Sequence, residues 1–144
     1  FWYSAARYGH VEVMRWALQQ GHSAVWKQER YWGNSIGSNA CAKAAEYGQL
    51  EALQWLKQNG CLWNSDTCQA AAGGGHFSCL QWVRENGCDW YSDTCAYAAR
   101  NGHLAVLQWA RENGYHWYSD TCADAAEGGH LSIIQWARWR LRLG

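Results

Sequence analysis

From Ser92 the chain reads Ser92-Asp93-Thr94-Cys95-Ala96-Tyr97-Ala98-Ala99-Arg100-Asn101-Gly102-His103-Leu104-Ala105-Val106-Leu107-Gln108-Trp109-Ala110-Arg111-Glu112-Asn113-Gly114. Two short helical runs are written here, each closed by a glycine. Ser92 and Asp93 offer N-cap oxygens to the first run. Gly102 suits the left-handed residue that ends it. The second run predicts a helix over about 104–112, with Leu104, Leu107 and Arg111 on one side and Val106, Trp109 and Ala110 on another. Asn113-Gly114 stops it, glycine supplying positive φ at little steric cost. Helices this short are not stable alone in water, so they need neighbours to pack on.

The same chain supplies those neighbours. Trp55, Trp82, Trp109 and Trp136 stand 27 residues apart, as do Cys41, Cys68, Cys95 and Cys122. The pairs Ala44-Ala45, Ala71-Ala72, Ala98-Ala99 and Ala125-Ala126 keep the same step, and so do Gly48-Gln49, Gly75-His76, Gly102-His103 and Gly129-His130. An earlier copy, with Ala5-Ala6, Gly9-His10 and Trp16, lies 39 residues upstream, which places a twelve-residue insertion at about 25–36. Five repeats result, at about 1–24, 37–60, 61–87, 88–114 and 115–141. A repeat of two helices that cannot bury its own apolar face must stack, so the sequence predicts an all-α solenoid of helix-turn-helix repeats in a single domain.

The run Ala98 to Leu107 closed by Gly114 resembles the two-helix half of the ankyrin repeat, whose motif has the same step from Gly102 to Gly114. Two departures are visible. The unit is 27 residues instead of 33, and Asp93-Thr94-Cys95-Ala96 stands where the family has Thr-Pro-Leu-His. The shortening falls in the segment that forms ankyrin's projecting hairpin. The repeats are similar to the short, Trp-rich ankyrin-like units of large DNA viruses and protists, and the likeness covers about residues 2–137. It implies a protein-binding solenoid whose first helices line the concave surface.

Composition narrows the partners. The 144 residues carry 12 Lys plus Arg and 12 Asp plus Glu, for zero formal charge. That argues against a general nucleic-acid binder, since affinity for phosphate scales with the cations presented. At 49% apolar residues the chain has ample surface to bury and is no disordered segment. No run approaches the ~18 apolar residues of a membrane helix. No nucleophile motif, phosphate loop or zinc-helix motif is present, and Gly73-Gly74-Gly75 has no Lys-Ser/Thr after it. The reading is therefore a non-enzyme with no cofactor, no metal and no small-molecule substrate.

Repeats also allow an internal comparison. A residue in every copy serves the stack; one that changes is free to serve something else. The recurring Trp16, Trp55, Trp82, Trp109 and Trp136 read as a column of core side chains, and the alternative, a ladder for sugars or single-stranded bases, is carried by the same residues. Full burial of one such ring is worth roughly 4–6 kcal/mol as an upper bound. Trp63, Trp90 and Trp117 are expected to pack across the turns. His10, His76, His103 and His130, with Gln49 in their column, read as capping or packing groups, because one per layer cannot share a zinc. Asp66, Asp93 and Asp120 read as caps, and Lys57, Arg84, Arg111 and Arg138 as last-turn cations favoured by the helix dipole. The seven cysteines read as reduced, buried apolar groups, with a thiolate site from Cys61, Cys68, Cys88 and Cys95 as the lesser alternative. Reduced thiols suggest an intracellular, reducing compartment, the cytoplasm first among them.

The changing columns lie on the first helix and the turn after it. Among them Tyr8, Tyr47, Tyr97 and Arg100 are of the types enriched at binding hot spots. The insertion contributes Trp26, Arg30, Tyr31 and Trp32, aromatics beside cations in a segment that occurs once. These eight residues are the candidate partner contacts, and the partner is another protein. Phe1, Trp2 and Tyr3 begin inside a repeat, as in a fragment of a longer array, and Trp139 to Leu143 replace the Asn-Gly stop. Apolar ends leave a second reading open, in which copies of the chain stack head to tail into a filament or larger complex.

Overall fold

The computed structural model describes residues 1–22, 40–61, 63, 65–115 and 119–143. Among them the helices form five successive pairs: α1 (Trp2–Tyr8) with α2 (Val11–Gln19), α3 (Ala40–Glu46) with α4 (Leu50–Gln58), α5 (Ser65–Gly74) with α6 (Phe77–Glu85), α7 (Ser92–Arg100) with α8 (Leu104–Glu112), and α9 (Ser119–Glu127) with α10 (Leu131–Leu143). Each first helix packs on the next first helix, α1 on α3 on α5 on α7 on α9. The described residues hold no strand, so the all-α solenoid expected from the repeats is the observed architecture.

The punctuation works as the residue types dictate. Gly102 and Gly114 sit at φ 82° and 78°, in the left-handed region that glycine enters without penalty. At the ends of the second helices, the Asn59, Asn86 and Asn113 side chains each donate 2.8 Å to the carbonyl of Trp55, Trp82 and Trp109, four residues back. Each of these carbonyls also accepts the backbone N–H of the same asparagine, so main chain and side chain together close the helix end. The N-termini differ from expectation. Tyr91, not Ser92 or Asp93, is the N-cap of α7, and no side chain caps it. Asp66 and Asp93 lie within the first turns of α5 and α7, where a negative charge meets the positive end of the helix dipole.

Small side chains set the spacing of the stack. The double-alanine column is buried at Ala5-Ala6, Ala44-Ala45, Ala71-Ala72 and Ala98-Ala99, and the cysteine column joins it at Cys41, Cys68 and Cys95. The first helices accordingly lie closer to one another than the second helices do, which puts the first-helix row on the inside of the curve. Between the two rows run the fully enclosed residues of the second helices, Met14, Leu53, Leu80 and Leu107, then Ala17, Leu56, Val83, Ala110 and Ala137.

The tryptophans are not that core. Trp55, Trp82, Trp109 and Trp136 are only partly buried against it, and Trp16 is 55% exposed. The enclosed seam is already filled by smaller residues, so the indoles lie along its edge and lean on aromatics from the turns. Trp63 meets Trp82 edge-on at 5.3 Å, and Trp90 meets Trp109 at 5.7 Å and stacks on Tyr115 at 4.6 Å. The expected packing across the turns is thus present at both; Trp117 lies outside the described residues. Among the described aromatic rings, the one beside Trp16 is that of His22, at 6.2 Å.

The histidine column ties layers together instead of capping its own helices. His76 and His103 occupy N-cap positions without a capping hydrogen bond. The His103 Nε2 instead donates to the Gly73 carbonyl at 2.9 Å, and His130 does the same to Arg100 at 2.9 Å. Gln49 Nε2 donates to the Arg7 carbonyl at 3.2 Å, a substitute of equal reach. A Cβ at Gly75 or Gly102 would fall on the ring of His103 or His130. The turn glycine is needed twice over, for its φ and as the seat of the next repeat's histidine.

Lys57, Arg84 and Arg111 fall in the last turns of their helices as expected. Arg138 does not, because α10 continues through Leu143 where the Asn-Gly stop is missing. Lys57 lies 4.1 Å over the Trp63 ring, and Arg84 Nε donates to the Tyr115 hydroxyl at 2.8 Å. The seven cysteines are free thiols, six of them buried. Cys68 and Cys88 share a hydrogen bond that draws the Cys88 thiol down and pushes the Cys68 thiol up.

Candidate partner-binding face

The inner face of the stack is built by positions that point away from the alanine seam of the first helices. In the third repeat those positions shrink to Ala70, Gly73 and Gly74, while Tyr47 and Tyr97 stand in the repeats on either side. The result is a notch of about 380 Å³, floored by the small residues and walled by the two tyrosines. Lys43 and Glu46 form a 2.9 Å ion pair on its rim, so the rim adds no net charge. Gln69 also lines the notch, although the residue is only 8% exposed. Its amide makes no hydrogen bond among the described residues.

Around this notch the face is electrostatically uneven. The Arg7 guanidinium lies 4.4 Å over the Tyr47 ring and 5.4 Å from that of Tyr8. It has no carboxylate partner among the described residues. At the other end Arg100 reaches Asp124 at 2.6 Å and Glu127 at 3.5 Å. The hydrogen bond that Arg100 donates to the Asp124 carboxylate raises the Arg100 pKa further above its already high value. Two carboxylates against one guanidinium leave that end negative.

The four candidate contacts on the helices therefore have different situations. Tyr47 and Tyr97 come together across the notch. Tyr8 is 59% exposed and joins Tyr47 only through Arg7. Arg100 is committed to the acidic pair of the next repeat. Trp26, Arg30, Tyr31 and Trp32 lie outside the described residues. Sequence reading places Ala70, Gly73 and Gly74 in the changing columns as solvated positions and does not reach Gln69. The available signal was a loss of bulk in two adjacent columns of one copy, with Gln69 in a column otherwise holding Ala42, Ala96 and Ala123. Among the described residues no three His, Cys, Asp or Glu side chains gather as a metal site would require. No helix there is long and apolar enough to cross a membrane.

No family model matches the sequence, and no curated protein does. The three-dimensional arrangement is more telling. The chain is similar to the crystal structure of the human ASB11 ankyrin repeat domain, at a TM-score of 0.70 over 99% of this chain and 68% of that one. The fold is the ankyrin repeat. Sequence identity in that comparison is 14%, so the likeness resides in the backbone and the stacking. Where the link before a first helix is described throughout, 86–91 between α6 and α7, it is brief and no strand occupies it.

Proposed function

We propose that this ankyrin-like array is a non-catalytic interaction module that binds a partner protein along its first-helix face. The observation that carries the reading is the notch between Tyr47 and Tyr97, opened by Ala70 and Gly73 in the middle repeat, with Gly74 packed on the Glu46 carbonyl at its edge. A stack that only needed to hold itself together has no use for two half-exposed tyrosines around a gap. Tyr8 and Arg100 extend the contact surface toward either end, and the insertion at 25–36, with Trp26, Arg30, Tyr31 and Trp32, supplies a further contact in this reading. The free, mostly buried thiols suit a reducing compartment.

The test is comparative capture. The intact chain, a Tyr47→Ala/Tyr97→Ala double variant and a Gln108→Ala control on the second-helix side are each used as bait, with captured proteins quantified. A set of proteins lost from the double variant and retained by the control supports the reading. Identical sets for all three sink it. Light scattering over a wide concentration range accompanies the capture: a mass that climbs without a plateau would replace partner binding with head-to-tail self-assembly.

A further inference from the structure

Resting on that reading, we infer the occupant of the notch. It is one aromatic side chain of an extended peptide segment whose backbone amide pairs with Gln69, with acidic residues running toward Arg7 and basic residues toward Asp124 and Glu127. Three observations converge on this chemistry. The notch offers apolar walls and a floor with no net charge at its rim, because Lys43 and Glu46 neutralise each other. A neutral ring fits that environment, and edge or offset contact with Tyr97 and Tyr47 favours an aromatic one.

Second, Gln69 lines the notch, the residue is only 8% exposed, and its amide makes no hydrogen bond among the described residues. A primary amide is complementary to a peptide group, which presents one acceptor and one donor in the same plane. A partner's main chain at the mouth of the notch satisfies both.

Third, the ends of the face have opposite sign. Arg7 is a cation without a carboxylate partner among the described residues, and Asp124 with Glu127 outnumber Arg100. The third repeat stands two layers from each end. On one side the Arg7 guanidinium rests 4.4 Å from the centroid of the Tyr47 ring that walls the notch. At ~3.3 Å per extended residue that flank begins about two to three residues from the anchor. On the other, Asp124 and Glu127 stand two layers of roughly 8–10 Å away, about six residues. The opposed charges fix the direction of the peptide as well as its register.

The probe is a random library of displayed peptides of about thirteen residues, long enough to span both flanks. It is selected on the intact chain, and enriched sequences are remade as labelled synthetic peptides for anisotropy titration. The expected winners share one aromatic residue, acidic residues on one side of it and basic residues on the other. Gly73→Leu, which fills the notch, weakens them about tenfold or more, and Gln69→Leu weakens them in the same direction. Should Gly73→Leu fail to fold by circular dichroism, Gly73→Ala takes its place. Its methyl group would sit 3.6 Å from Tyr97 Cβ, in ordinary contact, and give a smaller effect of the same sign.

Winners without a common aromatic, or winners unaffected by filling the notch, overturn the inference. If those peptides still weaken with Arg7→Ala or Tyr8→Ala, the first-helix face survives as the binding surface. Peptides indifferent to every variant on that face, or no enrichment at all, overturn both. Binding of a short oligoadenylate that Gly73→Leu abolishes assigns the notch to a nucleobase and overturns the peptide.

Discussion

His103 donates from Nε2 to the main-chain carbonyl of Gly73, 2.9 Å away and thirty residues earlier in the chain. The bond joins the start of one repeat's second helix to the end of the previous repeat's first helix. It also holds the floor of the notch, since Gly73 is part of that floor. His103→Ala leaves the carbonyl facing an empty seat and is expected to cost about 1–2 kcal/mol in urea denaturation. His103→Gln is expected to recover much of that loss, because Gln49 already makes the equivalent bond to Arg7. Equal losses for the two substitutions would show that ring packing, and not the hydrogen bond, is what matters.

Two adjacent glycines are expected to respond to alanine with opposite signs. Both lie in α5, so helix propensity favours alanine at each by up to about 1 kcal/mol. At Gly73 a Cβ meets only ordinary contacts, 3.6 Å to Tyr97 and 3.7 Å to Asn101, and Gly73→Ala should raise the melting temperature. At Gly74 a Cβ would land on the main-chain carbonyl of Glu46, which cannot swing aside. Gly74→Ala is expected to destabilise by about 1–3 kcal/mol, the cost of overpacking against backbone. Thermal melts of the two single variants decide the matter, and two shifts of the same sign contradict it.

The tryptophan column predicts a graded series instead of five equal losses. Trp109 has Phe77, Trp90 and Tyr115 rings within 6 Å of its own and rests on the core. Trp109→Ala is expected to cost about 2–3 kcal/mol, less than the ~3–5 of a fully enclosed ring. Trp16 is mostly in solvent, and Trp16→Ala should fall within about 0.5 kcal/mol of the parent. Denaturation of both variants under one set of conditions gives the ratio directly. A Trp16 loss equal to that of Trp109 would rule out the half-buried arrangement.

Alkaline pH should loosen the stack through its thiols. Burial pushes the Cys79 and Cys95 thiols up to about 11 from 9.0. Below pH 9 both states hold the proton and the thiols contribute no pH dependence. Above it the unfolded chain releases protons that the folded chain retains, so stability declines until the folded thiols also ionise near pH 11. Melting temperatures recorded across that window should fall more steeply for the parent than for a Cys79→Ala/Cys95→Ala variant. Parallel curves would place the alkaline sensitivity in other groups.

What could be read from sequence divides along a physical line. Gly102 and Gly114 were legible because left-handed φ is a local demand that the residue itself meets. The bounds of α8, Leu104–Glu112, followed from the same local signals. The role of His103 was not legible, since its acceptor belongs to another repeat and lies on main chain, which carries no sequence signature. Trp109 was read as enclosed because its column recurs, but recurrence marks a structural role without saying how much of the ring faces water. The notch was hidden for a related reason: Gly73 is unremarkable until Tyr47 and Tyr97 are set on either side of it. Tyr47 and Tyr97 are named from sequence as aromatic candidates in changing columns, but that they flank one gap is visible only in three dimensions.

The glycine seats described above have a consequence for how such a chain changes length. Gly9 receives Gln49, Gly48 receives His76, Gly75 receives His103 and Gly102 receives His130, each within the space a Cβ would have filled. Every junction is therefore the same joint, with a socket on one side and a plug on the other. A gene that gains or loses one 27-residue block re-forms a joint identical to those already there. Growth by whole units costs the architecture nothing, while each new unit brings a fresh set of side chains to the inner face.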